Sequence, residues 1–140
     1  MSIHVIASYQ QLPVYQMAFQ GSTTVYHWAQ PLLATSDADV IGQLLTLSRA
    51  ICADIAAAWS QRRQRAGFIS HLSTAHLAAT EMQSWIEAAI VTGALTPDTG
   101  QDLHDHYRDL STALDQLMAT AVAVPQLSEK TSVNALPATA

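Results

Sequence analysis

The stretch that decides the fold is residues 97–124, PDTGQDLHDHYRDLSTALDQLMATAVAV, because its apolar residues return every three or four positions. These residues are Leu103, Tyr107, Leu110, Leu114, Leu117, Ala121 and Val124. The spacing places them along one side of a long α-helix, as at the seam of a helical bundle. Thr96 can cap this helix, Pro97 suits its first position, and Pro125 ends it.

Two upstream stripes with the same spacing predict two more long helices. The first covers residues 66–92, and Gly93 after it suits a left-handed C-cap. Its stripe consists of Phe68, Leu72, Ala75, Ala79, Met82, Ile86 and Ala89. The second begins near Ser36 or Asp37, either of which can cap it. Its stripe consists of Val40, Leu44, Leu47, Ile51, Ile55 and Trp59.

A fourth, less regular helix is predicted near the start of the chain, between Pro13, which opens it, and Pro31, which closes it. Gly21, with Ser, Thr and Thr after it, weakens the middle of this helix. Its apolar side consists of Val14, Met17, Ala18, Val25 and Trp28.

The predicted helices are joined by short connections near 31–37, 61–66 and 93–96, which make successive helices antiparallel neighbours. We therefore predict an all-α fold, an antiparallel up-down-up-down four-helix bundle over residues 1–124. Residues 125–140, PQLSEKTSVNALPATA, contain two prolines and no helical stripe. They are predicted to form a flexible, disordered tail.

The chain carries little charge for its 140 residues. Charged residues make up 12% of it, against about 25% in typical soluble domains, while 49% of the residues are hydrophobic. With so few charged side chains, much of the protein surface must be apolar or weakly polar. An oligomer can bury part of that surface between its copies. We expect a homo-oligomer, and the alternative is a monomer with an Ala-, Ser- and Thr-rich surface.

The net charge of −5 opposes a nucleic-acid partner, because phosphate-binding proteins carry a positive field. The lone cysteine, Cys52, allows no disulfide within the chain, which fits a reducing, cytoplasmic compartment. We read Cys52 as a small buried residue. The N-terminus does not resemble a signal peptide, and no run of about 18 apolar residues predicts a membrane partner.

Three of the six Lys and Arg residues, Arg62, Arg63 and Arg65, lie together in the segment WSQRRQR at 59–65. The planar guanidinium group of arginine can donate several hydrogen bonds to a phosphate, so this patch is the candidate nucleic-acid site. A helix C-terminus followed by a solvated turn also favours cations, and we prefer that interpretation.

The segment DLHDHYRD at 102–109 contains His and Asp residues that could bind a metal ion. His104 and His106 are two apart and lie on different sides of a helix, whereas Asp102 and His106 share a face. Two ligands do not make a site, and His71 and His76 are poorly spaced for one ion. We therefore predict no metal, no other cofactor and no catalytic residue.

Two acids lie in otherwise apolar helices, and burying a carboxylate without a partner is costly. Asp54 can pair with Arg49 or Arg108, or it can lie at a subunit boundary. Glu81 likewise needs a partner or a position at a subunit boundary. Trp85 lies beside the stripe rather than on it, which favours a subunit contact. Trp85, Asp54 and Glu81 are thus the candidate oligomer-interface residues.

Several segments between residues 9 and 120, taken in their order and spacing, resemble the 23S rRNA intervening-sequence proteins. Relatives of that family include the accessory variability determinants of retroelements. The opening YQQLPVYQMA at 9–18 is similar to the family's first helix. In the second helix the similarity lies at Gln43, Leu44, Ile51, Ala53, Ile55, Ala56 and Trp59. In the third helix and the turn after it, the similarity lies at Phe68, Ile69, Leu72, Ala75, Glu81 and Gly93-Ala94-Leu95-Thr96.

The resemblance implies a four-helix protomer that assembles as a ring-like pentamer, and some relatives bind nucleic acid. Leu45 and Thr46 replace the family's paired arginines, and His76 replaces another. The resemblance therefore favours conserved packing over phosphate contact. We expect a non-enzymatic homo-oligomeric scaffold or adaptor for a macromolecular partner. The alternative is a nucleic-acid-binding accessory protein that uses Arg62, Arg63 and Arg65.

Overall fold

In a computed structural model of the chain, residues 6–35 and 37–123 are described, and they form four long α-helices. The helices are α1 Pro13–Ala29, α2 Ala38–Ser60, α3 Arg65–Val91 and α4 Pro97–Ala123. Short 3-10 turns at Tyr9–Gln11 and Gln30–Leu32 flank α1. The predicted all-α four-helix fold is confirmed. The predicted tail, residues 125–140, lies outside the described residues.

Each helix packs against its two neighbours around the bundle, so α1 and α3 lie diagonally across from each other. Two contacts give the direction of α3 and α4. Gln83 Nε2 donates to Ser111 Oγ at 3.4 Å, and Glu87 lies 2.9 Å from His104. A later residue of α3 thus meets an earlier residue of α4, as the up-down-up-down arrangement requires.

The ends of α3 and α4 follow the predicted capping chemistry. Gly93 adopts a φ of +84°, a left-handed conformation that favours glycine. The backbone N–H of Thr99 donates to Thr96 Oγ1 at 3.3 Å and satisfies one free donor of α4. Asp37 occupies the N-cap position of α2, although its side chain makes no capping bond. Ser36, the other predicted cap, lies outside the described residues.

The core contains most of the predicted stripes of α3 and α4, with Tyr107 as its largest fully buried side chain. Phe68, Leu117 and Ala121 are half-buried, and Val124 lies outside the described residues. The stripe of α2 is broader than predicted and shifted. Ile41, Leu45 and Ser48 are buried, whereas Val40 and Leu47 are half-buried. Because α2 packs on α1 on one side and on α3 on the other, it buries a wider arc than a two-helix seam does.

Within the described part of the chain, α2 is the one helix long enough and apolar enough to cross a membrane, judged by length and composition. Core helices of soluble bundles pass the same test. Here α2 supplies Ile41, Leu44, Ile51 and Ile55 to the bundle core, where each is fully buried.

Candidate functional site

Two outward helix faces carry large apolar side chains and almost no charge, and together they form the candidate site. On α1, Phe19 is 57% exposed and Tyr26 is 46% exposed. On α3, Leu77 is 62% exposed and Val91 is 85% exposed. Spacings of seven and fourteen residues keep each pair on one side of its helix. Large apolar side chains exposed on one side of a helix make that side a candidate interaction surface.

The α1 surface, here called the aromatic face, consists of Tyr15, Phe19 and Tyr26. The rings of Tyr15 and Phe19 stack with centroids 6.2 Å apart, and Tyr9 meets Tyr15 edge-on at 4.8 Å. An open groove of about 640 Å³ runs beside them. Its described lining is uncharged and consists of Gln10, Tyr15, Gln16, Phe19, Gln20, Thr23 and Thr24.

The α3 surface, here called the small face, consists of Leu77, Ser84 and Val91 with the small side chains around them. These neighbours are Ser70, Ser73, Thr74, Thr80 and Ala88. The hydroxyls of Thr74 and Thr80 each donate to a carbonyl of their own helix, at 3.1 Å. These two hydroxyls are therefore satisfied without water, and covering them costs little.

The outer side of α4 differs, because it carries a charged cluster. Arg108 contacts Asp105 at 3.0 Å and Asp109 at 3.2 Å, and all three lie at the surface. Arg108 is thus engaged within α4 rather than with Asp54, which removes one of the two predicted partners of that carboxylate. Surface pairs of this kind contribute little stability and keep the face hydrated.

The three arginines lie where the sequence predicts, at the connection between α2 and α3. The Arg62 guanidinium lies 4.3 Å from the Trp59 ring centre and donates to the Trp59 carbonyl oxygen at 2.9 Å. Arg62 thus stabilises the C-terminus of α2. Arg65 begins α3 and is half-buried, while Arg63 is exposed. An open pocket of about 490 Å³ is lined by Ser60, Gln61, Arg62, Arg63 and Gln64.

The structure does not bring the three predicted interface residues together. Asp54 is half-buried on the α2–α3 side, where burial raises the pKa of its carboxyl and His71 opposes that shift. Glu81 is exposed, near Leu77 and Ser84 on α3. Trp85 is half-buried and packs against the core. Their roles at an interface stay predictions.

The histidines of α4 point to different neighbours. His104 contacts Glu87 of α3 at 2.9 Å, whereas His106 Nε2 lies 2.7 Å from the backbone oxygen of Met17 in α1. Each imidazole therefore bridges two helices. Among residues 6–35 and 37–123, no three His, Cys, Asp or Glu side chains are grouped closely enough to hold a metal ion.

Sequence reasoning missed the contact between Gly21 and Tyr107 and treated Gly21 as a weak point of α1. Tyr107 Oη is buried without a hydrogen-bond partner among the described residues, and burial raises the pKa of this phenol strongly. The two outward faces were also missed. Their signal was present in the spacing of Phe19 and Tyr26, which lie off the core stripe of α1.

These features define a small all-α bundle protein with two lateral surfaces that carry few charges. The chain belongs to the 23S rRNA-intervening sequence protein family, whose family model matches residues 10–116. This finding confirms the resemblance inferred from the sequence.

A solved structure supports the same fold. It is a protein of unknown function from the S23 ribosomal protein family of Bacteroides thetaiotaomicron, similar to this chain with a TM-score of 0.68. The two sequences are 21% identical, and the match covers 76% of this chain and 95% of the other. At this identity the likeness concerns the fold. No curated protein matches the chain.

Proposed function

We propose that this protein is a non-enzymatic homo-oligomeric scaffold that presents repeated surfaces to a macromolecular partner in the cytoplasm. The observation that carries the proposal is the exposure of Phe19, Tyr26, Leu77 and Val91 on two helices that have few charges. Removing apolar surface of this kind from water stabilises an assembly by about 25 cal/mol per Å². A ring of five copies is the assembly that the family resemblance suggests.

A scaffold of this kind works by multivalency. Each copy offers the same weak surface, and a partner that engages several copies dissociates far more slowly than from one. The charged outer side of α4 and the loop at Arg63 stay available for that partner, because neither belongs to the aromatic face or the small face.

The test is the molar mass of the purified full-length chain by size-exclusion chromatography with light scattering, at micromolar concentration. The proposal predicts a single multiple of the protomer mass, near five. A matched control is Gln116→Glu, an exposed position on α4 that should leave the mass unchanged. A monomer over the whole concentration range would overturn the scaffold proposal.

A second candidate is nucleic-acid binding by Arg62, Arg63 and Arg65. The observation in its favour is the open pocket beside Arg62 and Arg63, which an oligomer would repeat in every copy. The net charge of −5 opposes it.

The second candidate is tested by titrating single-stranded and duplex RNA and DNA at several salt concentrations. The alanine triple variant, Arg62→Ala/Arg63→Ala/Arg65→Ala, should lose binding and much of the salt dependence. The matched lysine triple variant keeps the charge and should retain the salt slope. Binding that is unchanged in the alanine variant would exclude this site.

A further inference from the structure

The aromatic face and the small face point in opposite directions. In the bundle α1 contacts α2 and α4, and α3 contacts the same two helices from the other side. The outward surfaces of α1 and α3 therefore lie on opposite flanks of the protomer. One neighbouring copy cannot cover both flanks at once, so covering both requires two neighbours.

The two faces are complementary in size. The aromatic face offers the bulky rings of Phe19 and Tyr26, which project at 57% and 46% exposure. The small face offers Thr80 and Ser84 between the aliphatic side chains of Leu77 and Val91, and Ser73 before Leu77, so a neighbouring helix can approach its backbone closely. Large side chains pack best against small ones, because alternating sizes interdigitate without voids. Pairing either face with its own copy would lack this match.

The few ionisable groups at the two faces also match. Helix α1 contains no Asp, Glu, Lys or Arg, and its one imidazole, exposed His27, adjoins Tyr26. On α3 the exposed carboxylates are Glu81, which lies between Leu77 and Ser84 along the chain, and Glu87, which contacts His104 of α4 at 2.9 Å. The imidazole of His27 at the edge of the aromatic face can thus meet the carboxylate of Glu81 in the small face.

We infer that the copies of this chain associate head to tail, with the aromatic face of one copy packed on the small face of the next. This inference rests on the proposed function and names the surfaces that would build the oligomer. A heterologous contact of this type closes into a ring when the rotation between copies divides a full turn, and otherwise continues as a filament. Every copy within the ring then has both flanks covered.

The test uses two full-length variants, each with one damaged face. The α1 variant is Phe19→Glu/Tyr26→Glu, and the α3 variant is Leu77→Glu/Val91→Glu. All four side chains are exposed, so both variants should keep the helical circular dichroism and the melting temperature of the wild type. Gln116→Glu again serves as the control on α4.

Head-to-tail association predicts that each variant alone is a monomer. An equimolar mixture should form a dimer and nothing larger, because one intact aromatic face and one intact small face remain for each pair. If either variant alone stays a dimer or keeps the wild-type mass, or if the mixture stays monomeric, the head-to-tail contact is wrong. A wild-type monomer would instead refute the proposed oligomer itself, so the two failures are distinguishable.

Discussion

The hydroxyl oxygen of Tyr107 lies 2.6 Å from the position that a Cβ atom on Gly21 would occupy, and the Tyr107 Cζ atom lies 2.8 Å from it. The Tyr107 ring of α4 therefore packs directly on the backbone of α1 at Gly21. Next to this contact, His106 meets the Met17 carbonyl oxygen at 2.7 Å. Glycine at 21 is what allows α1 to close the bundle against α4.

Replacing Gly21 with alanine should destabilise the protein. Alanine gains about 1 kcal/mol of helix propensity, but its methyl group would overlap the buried Tyr107 ring at a cost of about 1–3 kcal/mol. We expect a net loss, measured by urea unfolding. Gly42→Ala is the matched control, because nothing lies within 4 Å of a Cβ there. The control should gain stability, and a gain at Gly21 as well would show that α1 and α4 pack less closely.

Removing the phenol oxygen of Tyr107 should be neutral or stabilising. The buried hydroxyl has no partner among the described residues, and a buried unsatisfied polar group costs about 1–3 kcal/mol. Tyr107→Phe should therefore unfold at the same or a higher urea concentration. In the double variant with Gly21→Ala it should recover part of the loss. A large loss in Tyr107→Phe would reveal a hydrogen bond to this oxygen.

Removing the hydroxyl of Thr96 should weaken the start of α4. Thr96→Ala loses the bond from the Thr99 N–H, and such caps contribute about 1 kcal/mol. Thr112→Ala is the control, because the Thr112 hydroxyl bonds to a carbonyl oxygen within α4. Thermal unfolding should show a clear drop for the first variant and little change for the second. Equal drops would mean that the cap contributes nothing specific.

Asp54 should make stability depend on pH. Burial raises the pKa of its carboxyl above the ordinary value of 3.8, so the folded chain holds this proton more tightly than the unfolded chain does. The stability from the protonated form is complete below the unfolded-state pKa. It is lost as the pH rises through the raised value.

Asp54→Asn should therefore raise the melting temperature at neutral pH and change it little in acid. Asp115→Asn, at an exposed position on α4, is the matched control for the loss of one carboxylate. A lower melting temperature for Asp54→Asn at neutral pH would mean that attraction to His71 outweighs the cost of burial.

Much of the fold was predictable because its signals are local. The proline at 97, the hydroxyl at 96 and the glycine at 93 set the ends of α3 and α4, and the structure places all three in the predicted roles. The apolar period then fixed which side of each helix faces the core. The buried side of α2 is broader than predicted, because the apolar period does not show which flanking positions α1 and α3 will cover.

The candidate surfaces were harder to predict because they depend on which helices lie on opposite sides. Phe19 and Leu77 are 58 positions apart, and nothing in their local sequence relates them. Arg62 shows the same limit. Its sequence context suggests phosphate contact, whereas in the structure its guanidinium packs on Trp59. The local sequence around Gly21 suggests a weak point in α1. In the structure, Gly21 instead allows the Tyr107 ring to pack closely on that helix.

The central claim is that the aromatic face of α1 and the small face of α3 are buried between copies of this chain. Sedimentation velocity of the full-length protein at micromolar concentration, in low and in high salt, tests it most directly. The account predicts one assembled species near five protomers that persists in high salt, because apolar contacts are not screened. A protomer-sized species, or an assembly that salt dissolves, would contradict it.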